Sequence, residues 1–214
     1  AWLSRGREVR IDHCPIQDSR EQASFRGVVC PPNLTYPRPP RRVDMLFLGW
    51  NPPGVNHFWN SLTDKLRNQL MWVLRKLEWR WKGDFLSEFS RRGCYFAHAV
   101  KCWQQAKPWP PDEVTVRCAR AQLQWEIARL RPKTLCVLGQ IAHKAAKEII
   151  PRIPTRVSYG NGWCGEVGGM KIIITAFPNT RPNPTREQAD RTNRDCTLAA
   201  LRRWWTPFNP ESGT

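Results

Sequence analysis

The chain lacks a long apolar run, an internal repeat and enough acids to balance its bases. No stretch approaches the ~18 consecutive apolar residues that a bilayer-crossing helix needs, which argues against a membrane-spanning helix. No charged-then-apolar segment opens it, so the expectation is a cytoplasmic, nucleoid-associated protein of a prokaryote. Acids are few: 18 Asp plus Glu against 34 Lys plus Arg leave a formal charge of +16 and a pI near 10.2. Such a surplus attracts polyanions, and nucleic acid is the first partner to consider. The bases are spread along the chain and interleaved with 12 Trp rather than gathered in a lysine tail. That suits a folded surface on a phosphate backbone with aromatics near bases. No RNA-recognition module is present, which disfavours an RNA binder.

With 214 residues the chain can bury one core. Residues 1–42 read as an extended arm, because "CPPNLTYPRPPRR" (30–42) carries enough proline to forbid helix and interior strand. Residues 43–205 form the expected domain and 206–214 a tail. Within the domain lie four apolar runs, "VDMLFLG" (43–49), "CYFAHAV" (94–100), "TLCVLG" (134–139) and "KIIITA" (171–176). They read as strands buried on both faces. Helical stretches separate or follow them at 62–77, 110–132 and 185–205, the last with Thr185 as N-cap. Strands alternating with helices give an α/β class: a three-layer α/β/α arrangement with a central, mainly parallel, four-stranded sheet. Ligands of such sheets sit beyond the carboxyl ends of the strands. Those ends lead into Gly49–Trp59, Lys101–Trp109, Gly139–Ile141 and Phe177–Asn183.

At the first of these, "LGWNPPG" spends Pro52 and Pro53 on stiffness, while Gly49 and Gly54 permit close backbone approach to a ligand. The rigid loop presents Asn51, whose amide can hold a water, read a base edge or close an Asx turn.

"HAVKCWQQ" followed by "IARLRPKTLCVLGQIAHKAA" resembles the "hhNhVKCxPP" and "RPKhhhxLG" blocks of the uracil-DNA glycosylase superfamily, particularly its iron–sulfur branch. "LGWNPPG" is similar to that superfamily's first motif in its "GxNPG" form, and "AFPNTRPN" (176–183) stands where its second motif follows the last strand. The resemblance implies a monomeric, monofunctional glycosylase acting on DNA with a damaged or mismatched base. The base is flipped out because its glycosidic bond is out of reach in the stack. Uracil is the expected base, with hypoxanthine or mismatched thymine as alternatives, and a non-catalytic lesion-binding module as the reading from another class.

Carried over by residue, the resemblance makes Asn51 the residue that positions the attacking water. Phe58, with Trp59 as rival, becomes the stacking aromatic beside Gly49 and Trp50. His98 stands where many members read the base with asparagine. Phe177 replaces the usual second-motif histidine and Asn179 the serine, with Asn179, Thr180, Arg181 and Asn183 on the DNA and Arg181 in the wedge loop. Phenylalanine cannot hydrogen-bond to a departing base, so that role falls to His98, His57, Asn179 or backbone N–H groups.

Eight cysteines in a reducing compartment point to metal ligands or buried thiols. Cys102 and Cys118 stand where the iron–sulfur branch has two of its ligands. That branch takes the other two from a CxxC, which is missing here, leaving Cys14 and Cys30 of the arm. The set implies a structural [4Fe–4S] cluster, with zinc or free thiols as alternatives. Cys94, Cys136, Cys164 and Cys196 read as small hydrophobes in strands, a glycine-rich loop and a helix.

Overall fold

The structure, a computed structural model, describes residues 9–10, 28–29, 35–50, 57–101, 103–104, 112–179 and 192–205. Three short strands, β1 (Val9–Arg10), β2 (Val28–Val29) and β3 (Thr35–Tyr36), precede the core strand β4 (Met45–Gly49). Helices α1 (Lys65–Lys76) and α2 (Phe85–Arg91) lead to β5 (Cys94–His98) and the short β6 (Trp103–Gln104). Next come α3 (Asp112–Cys118), a π-helical turn (Ala119–Leu123), α4 (Gln124–Leu130), β7 (Thr134–Leu138) and α5 (Gln140–Ile149). A hairpin of β8 (Trp163–Val167) and β9 (Met170–Thr175) and the helix α6 (Asn193–Trp204) complete the order.

The main sheet has five strands in the order β5-β4-β7-β9-β8, not the four expected. The first four are parallel and β8 is antiparallel to β9. β8 escapes an apolar-run reading because it lies at an edge and none of its residues is fully buried. It is joined to β9 by Gly168 and Gly169 at φ +60° and +78°, the left-handed pair that a tight hairpin requires. Cys164 therefore lies on a strand rather than in a glycine-rich loop.

From β4 the chain steps to one side to reach β5, then back across to β7 and outward to β9. Right-handed crossovers then put α1 and α2 on one face of the sheet and α3–α4 and α5 on the other. Consistently, α6 packs beside α1, and α3 beside α5. Phe47 meets Phe89 at 5.7 Å and Trp205 at 5.9 Å on the first face. Each fully buried side chain of this size contributes roughly 1.5–3 kcal/mol. The unbroken burial of β4, β5 and β7 is what their apolar runs encode.

Two helices, α2 and α5, lie outside the stretches read as helical, and the helix expected at 110–132 carries the π turn. Thr185 lies outside the described residues. The N-cap of α6 is Thr192, whose hydroxyl and Asp195 form a reciprocal capping box. Tyr36 is 2% exposed and belongs to the core. The Tyr95 hydroxyl donates to the Pro37 carbonyl at 3.0 Å, fixing this segment along edge strand β5. Among the described residues no helix is long and apolar enough to cross a membrane.

Candidate active site

The parallel strands β4, β5, β7 and β9 end together at Gly49, His98, Leu138 and Thr175, and their carboxyl edge holds a buried polar cluster. His98 closes β5 at 2% exposure. Its Nδ1 lies 2.7 Å from the Tyr36 hydroxyl. One hydrogen bond joins the phenol oxygen to the ring nitrogen, and the tautomer of the ring sets which of the two donates. Burial, with the nearby Lys101 and His57 adding to it, holds the imidazole well below its ordinary value, so the ring is neutral. Burial likewise pushes the phenol up and keeps it protonated. In the tautomer in which the Tyr36 phenol donates to Nδ1, the neutral ring carries its proton on Nε2 and donates from there.

Behind His98 the backbone is pinned by Lys101, which is 1% exposed. Its Nζ donates to the His98 carbonyl at 2.7 Å and to Glu126 Oε2 at 2.5 Å, and lies 5.1 Å from the centre of the Tyr36 ring. Burial pushes the Glu126 carboxyl up against the opposing pull of Lys101. His57, 1% exposed, completes the group: its ring is 5.8 Å from both Tyr36 and His98. Burial lowers its pKa to about 4. Its Nδ1 receives the Trp59 N–H at 3.5 Å, whereas its buried Nε2 has no partner among the described residues. His143 differs: both its nitrogens are engaged at 2.8 Å, with the Tyr159 hydroxyl and the Pro154 carbonyl.

Of the residues singled out in the sequence, Asn51, Thr180, Arg181 and Asn183 lie outside the described residues. Gly49 ends β4, but a Cβ there would come within 2.6 Å of the Phe96 ring and 3.1 Å of Leu66. Its small size therefore serves packing against these two side chains. Trp50 follows, its carbonyl receiving the Val100 N–H at 3.0 Å. Phe58 is wholly buried, its ring stacked on Phe96 at 4.2 Å. Trp59 donates from its indole to the Phe96 carbonyl at 3.0 Å and lines a cavity of about 410 Å³ shared with Tyr36 and α2. Phe177 is half-buried after β9 and lies over the β7–α5 turn, where a Cβ on Gly139 (φ +85°) would be 2.9 Å from Phe177 Cβ. The Asn179 carbonyl receives the Arg194 N–H at 3.0 Å and its Oδ1 the Asn193 amide at 3.2 Å, tying this segment to the first turn of α6.

Tyr36, Lys101 and Glu126 were not singled out from sequence. A tyrosine inside "LTYPRPP" and a glutamate inside a helix carry no local signal of convergence.

Of the proposed metal ligands, Cys14, Cys30 and Cys102 lie outside the described residues. Cys118 is buried and its Sγ accepts the Lys101 N–H at 3.2 Å. In the β2–β6 ladder Val29, the residue before Cys30, is opposite Trp103, the residue after Cys102. Among the described residues no three His, Cys, Asp or Glu side chains are gathered to hold a metal ion. Cys94, Cys136 and Cys196 are buried and Cys164 is partly exposed.

A sequence model described as the Uracil DNA glycosylase superfamily matches residues 38–204. Among curated proteins, none matches the chain.

Proposed function

The chain belongs to the uracil DNA glycosylase superfamily, and from that premise we propose that it is a monomeric, monofunctional DNA glycosylase whose first substrate is uracil. The observation that carries this reading is His98, a buried imidazole at the carboxyl end of β5 that burial holds neutral and whose Nδ1 is engaged by Tyr36. The +16 charge holds the phosphate backbone. Arg181, with Asn179, Thr180 and Asn183, fills the gap left by the extruded nucleotide. His98 Nε2–H binds a carbonyl oxygen of the flipped base. As the bond from C1′ to the base nitrogen breaks, its electron pair leaves with the base. Asn51 holds the water whose oxygen bonds to C1′, and the proton lost by that water ends on the released base. Trp59, which lines a cavity, is a better stacking candidate than Phe58, whose ring lies against Phe96.

The proposal extends to a structural [4Fe–4S] cluster, with zinc as the alternative, held by Cys14, Cys30, Cys102 and Cys118. Its support is the N–H donation from Lys101 to the Cys118 sulfur and the pairing of Val29 with Trp103. Bound there, it would pin the arm to the core through its four thiolate ligands.

Phe177 in place of a second-motif histidine supports a second reading, in which the base is hypoxanthine or mismatched thymine. The test is incubation with duplexes carrying single lesions, followed by alkaline scission of abasic sites. Scission at uracil, abolished by Asn51→Ala with DNA affinity retained, supports the first reading. Scission only at another base selects the second, and tight lesion binding without scission makes the chain a binding module.

A further inference from the structure

His57 is the buried titratable group of this edge that no step above uses. A buried donor left unpaired costs about 1–3 kcal/mol, so such a group calls for an explanation. His143 shows how this fold satisfies a histidine with a purely structural place, engaging both nitrogens at 2.8 Å. His57 is 1% exposed and has its Nδ1 turned to the Trp59 N–H, so in the neutral ring the proton sits on Nε2. That Nε2–H has no acceptor among the described residues. The ring packs edge-to-face against His98 at 5.8 Å, beside the donor already assigned to the base. It also follows the Asn51 loop directly in sequence.

We propose that His57 donates its Nε2–H to the carbonyl oxygen on which negative charge gathers as the base departs, the role that Phe177 cannot fill. The inference rests on the glycosylase reading above. The step needs no proton transfer from His57. The C1′–N bond breaks with its electron pair moving into the base, the charge spreads to the carbonyl oxygen, and the hydrogen bond from His57 strengthens as it does. With its pKa lowered to about 4 the ring is neutral, and it acts as a fixed dipole in a water-poor site, where such donors are worth most. The preferred ligand is thus a keto base, with an oxygen acceptor next to the bond that breaks.

The test is single-turnover cleavage of DNA carrying deoxyuridine or 5-fluorodeoxyuridine by the whole chain, its His57→Phe variant and its His57→Gln variant. Fluorine acidifies the departing base and makes it less dependent on a donor. Expected for His57→Phe is a loss of roughly 100- to 1,000-fold on uracil, a clearly smaller loss on 5-fluorouracil, and an intermediate rate for His57→Gln, which keeps an N–H. Equal losses on both bases, or no loss, would overturn the proposal, because a merely structural histidine is blind to the leaving group. If His57→Phe fails to fold, the same comparison of the two bases with His57→Gln decides. Failure of the unmutated chain to cleave either base sinks the glycosylase reading and this inference with it, and is told apart from the other outcomes by that control.

Discussion

Lys101→Met tests whether the end of β5 is held by a buried ion pair. In the folded chain Lys101 Nζ is shared between Glu126 Oε2 at 2.5 Å and the His98 carbonyl at 2.7 Å, at 1% residue exposure. Methionine keeps most of the stem that packs near Tyr36 but strands a carboxylate that burial already disfavours. Breaking a buried pair from one side costs about 3–5 kcal/mol. Replacing both partners by apolar groups of similar volume is often neutral. Lys101→Met is therefore expected to lower stability by about 3–5 kcal/mol, and Lys101→Met with Glu126→Met to return within about 1 kcal/mol of the unmutated chain. With a urea slope of about 2 kcal/mol/M, the single variant shifts the unfolding midpoint by roughly 2 M. Intrinsic fluorescence of the 12 Trp reports it directly. A single-variant loss below about 1 kcal/mol, or a double variant no better than the single, would refute the buried-pair reasoning.

Tyr36→Phe removes the hydroxyl that engages His98 Nδ1, so kcat is expected to fall at least about 10-fold with KM nearly unchanged. Steady-state cleavage of deoxyuridine DNA separates the two parameters. His57, ordinarily near 6.5 and about 4 when folded, binds its proton more readily in the unfolded chain. Its contribution is fully present above about pH 6.5 and is lost as pH falls toward 4, by at most about 3 kcal/mol. The urea midpoint of the unmutated chain should fall more steeply over that window than that of His57→Phe. Cys118→Ala is expected to remove visible absorbance and bound iron, or bound zinc, from protein purified without oxygen. Full metal content in that variant counts against Cys118 as a ligand.

What the sequence made legible follows from how far each signal reaches along the chain. β4, β5, β7 and β9 are visible as apolar runs because a strand covered on both faces has no polar face to show. β8 has partly exposed residues throughout, so its clue was the Gly168–Gly169 turn. The capping box at Thr192 is also local and readable, yet a threonine after a proline-rich turn looked equally suitable. Gly49 and Phe58 show a different limit. Both pack on Phe96 of β5, a partner that lies far along the chain and that one dimension does not show. His98 is legible through the resemblance, because it stands where many members of the family carry the base-reading asparagine. Its partner Tyr36 is 62 residues away and Glu126 is 25 residues from Lys101, pairings that only the crossover topology creates.

That topology also separates two electrostatic tasks. A chain with a surplus of 16 positive charges needs no further cation inside its site to attract DNA. A free buried cation would cost desolvation energy, and the one lysine in this cluster is paired with Glu126. The histidines beside it are kept neutral by burial. Neutral N–H donors bind a keto base before cleavage and bind it more strongly as it becomes an anion, so their stabilisation grows along the reaction coordinate. Phosphate attraction, by contrast, is nearly the same before and after the bond breaks and adds to affinity rather than to the chemical step. On the proposed mechanism the surface charge therefore sets how tightly DNA is held, and His98 and His57 set how fast the base leaves. Raising the salt concentration should weaken binding steeply while leaving the single-turnover rate of the saturated complex almost constant.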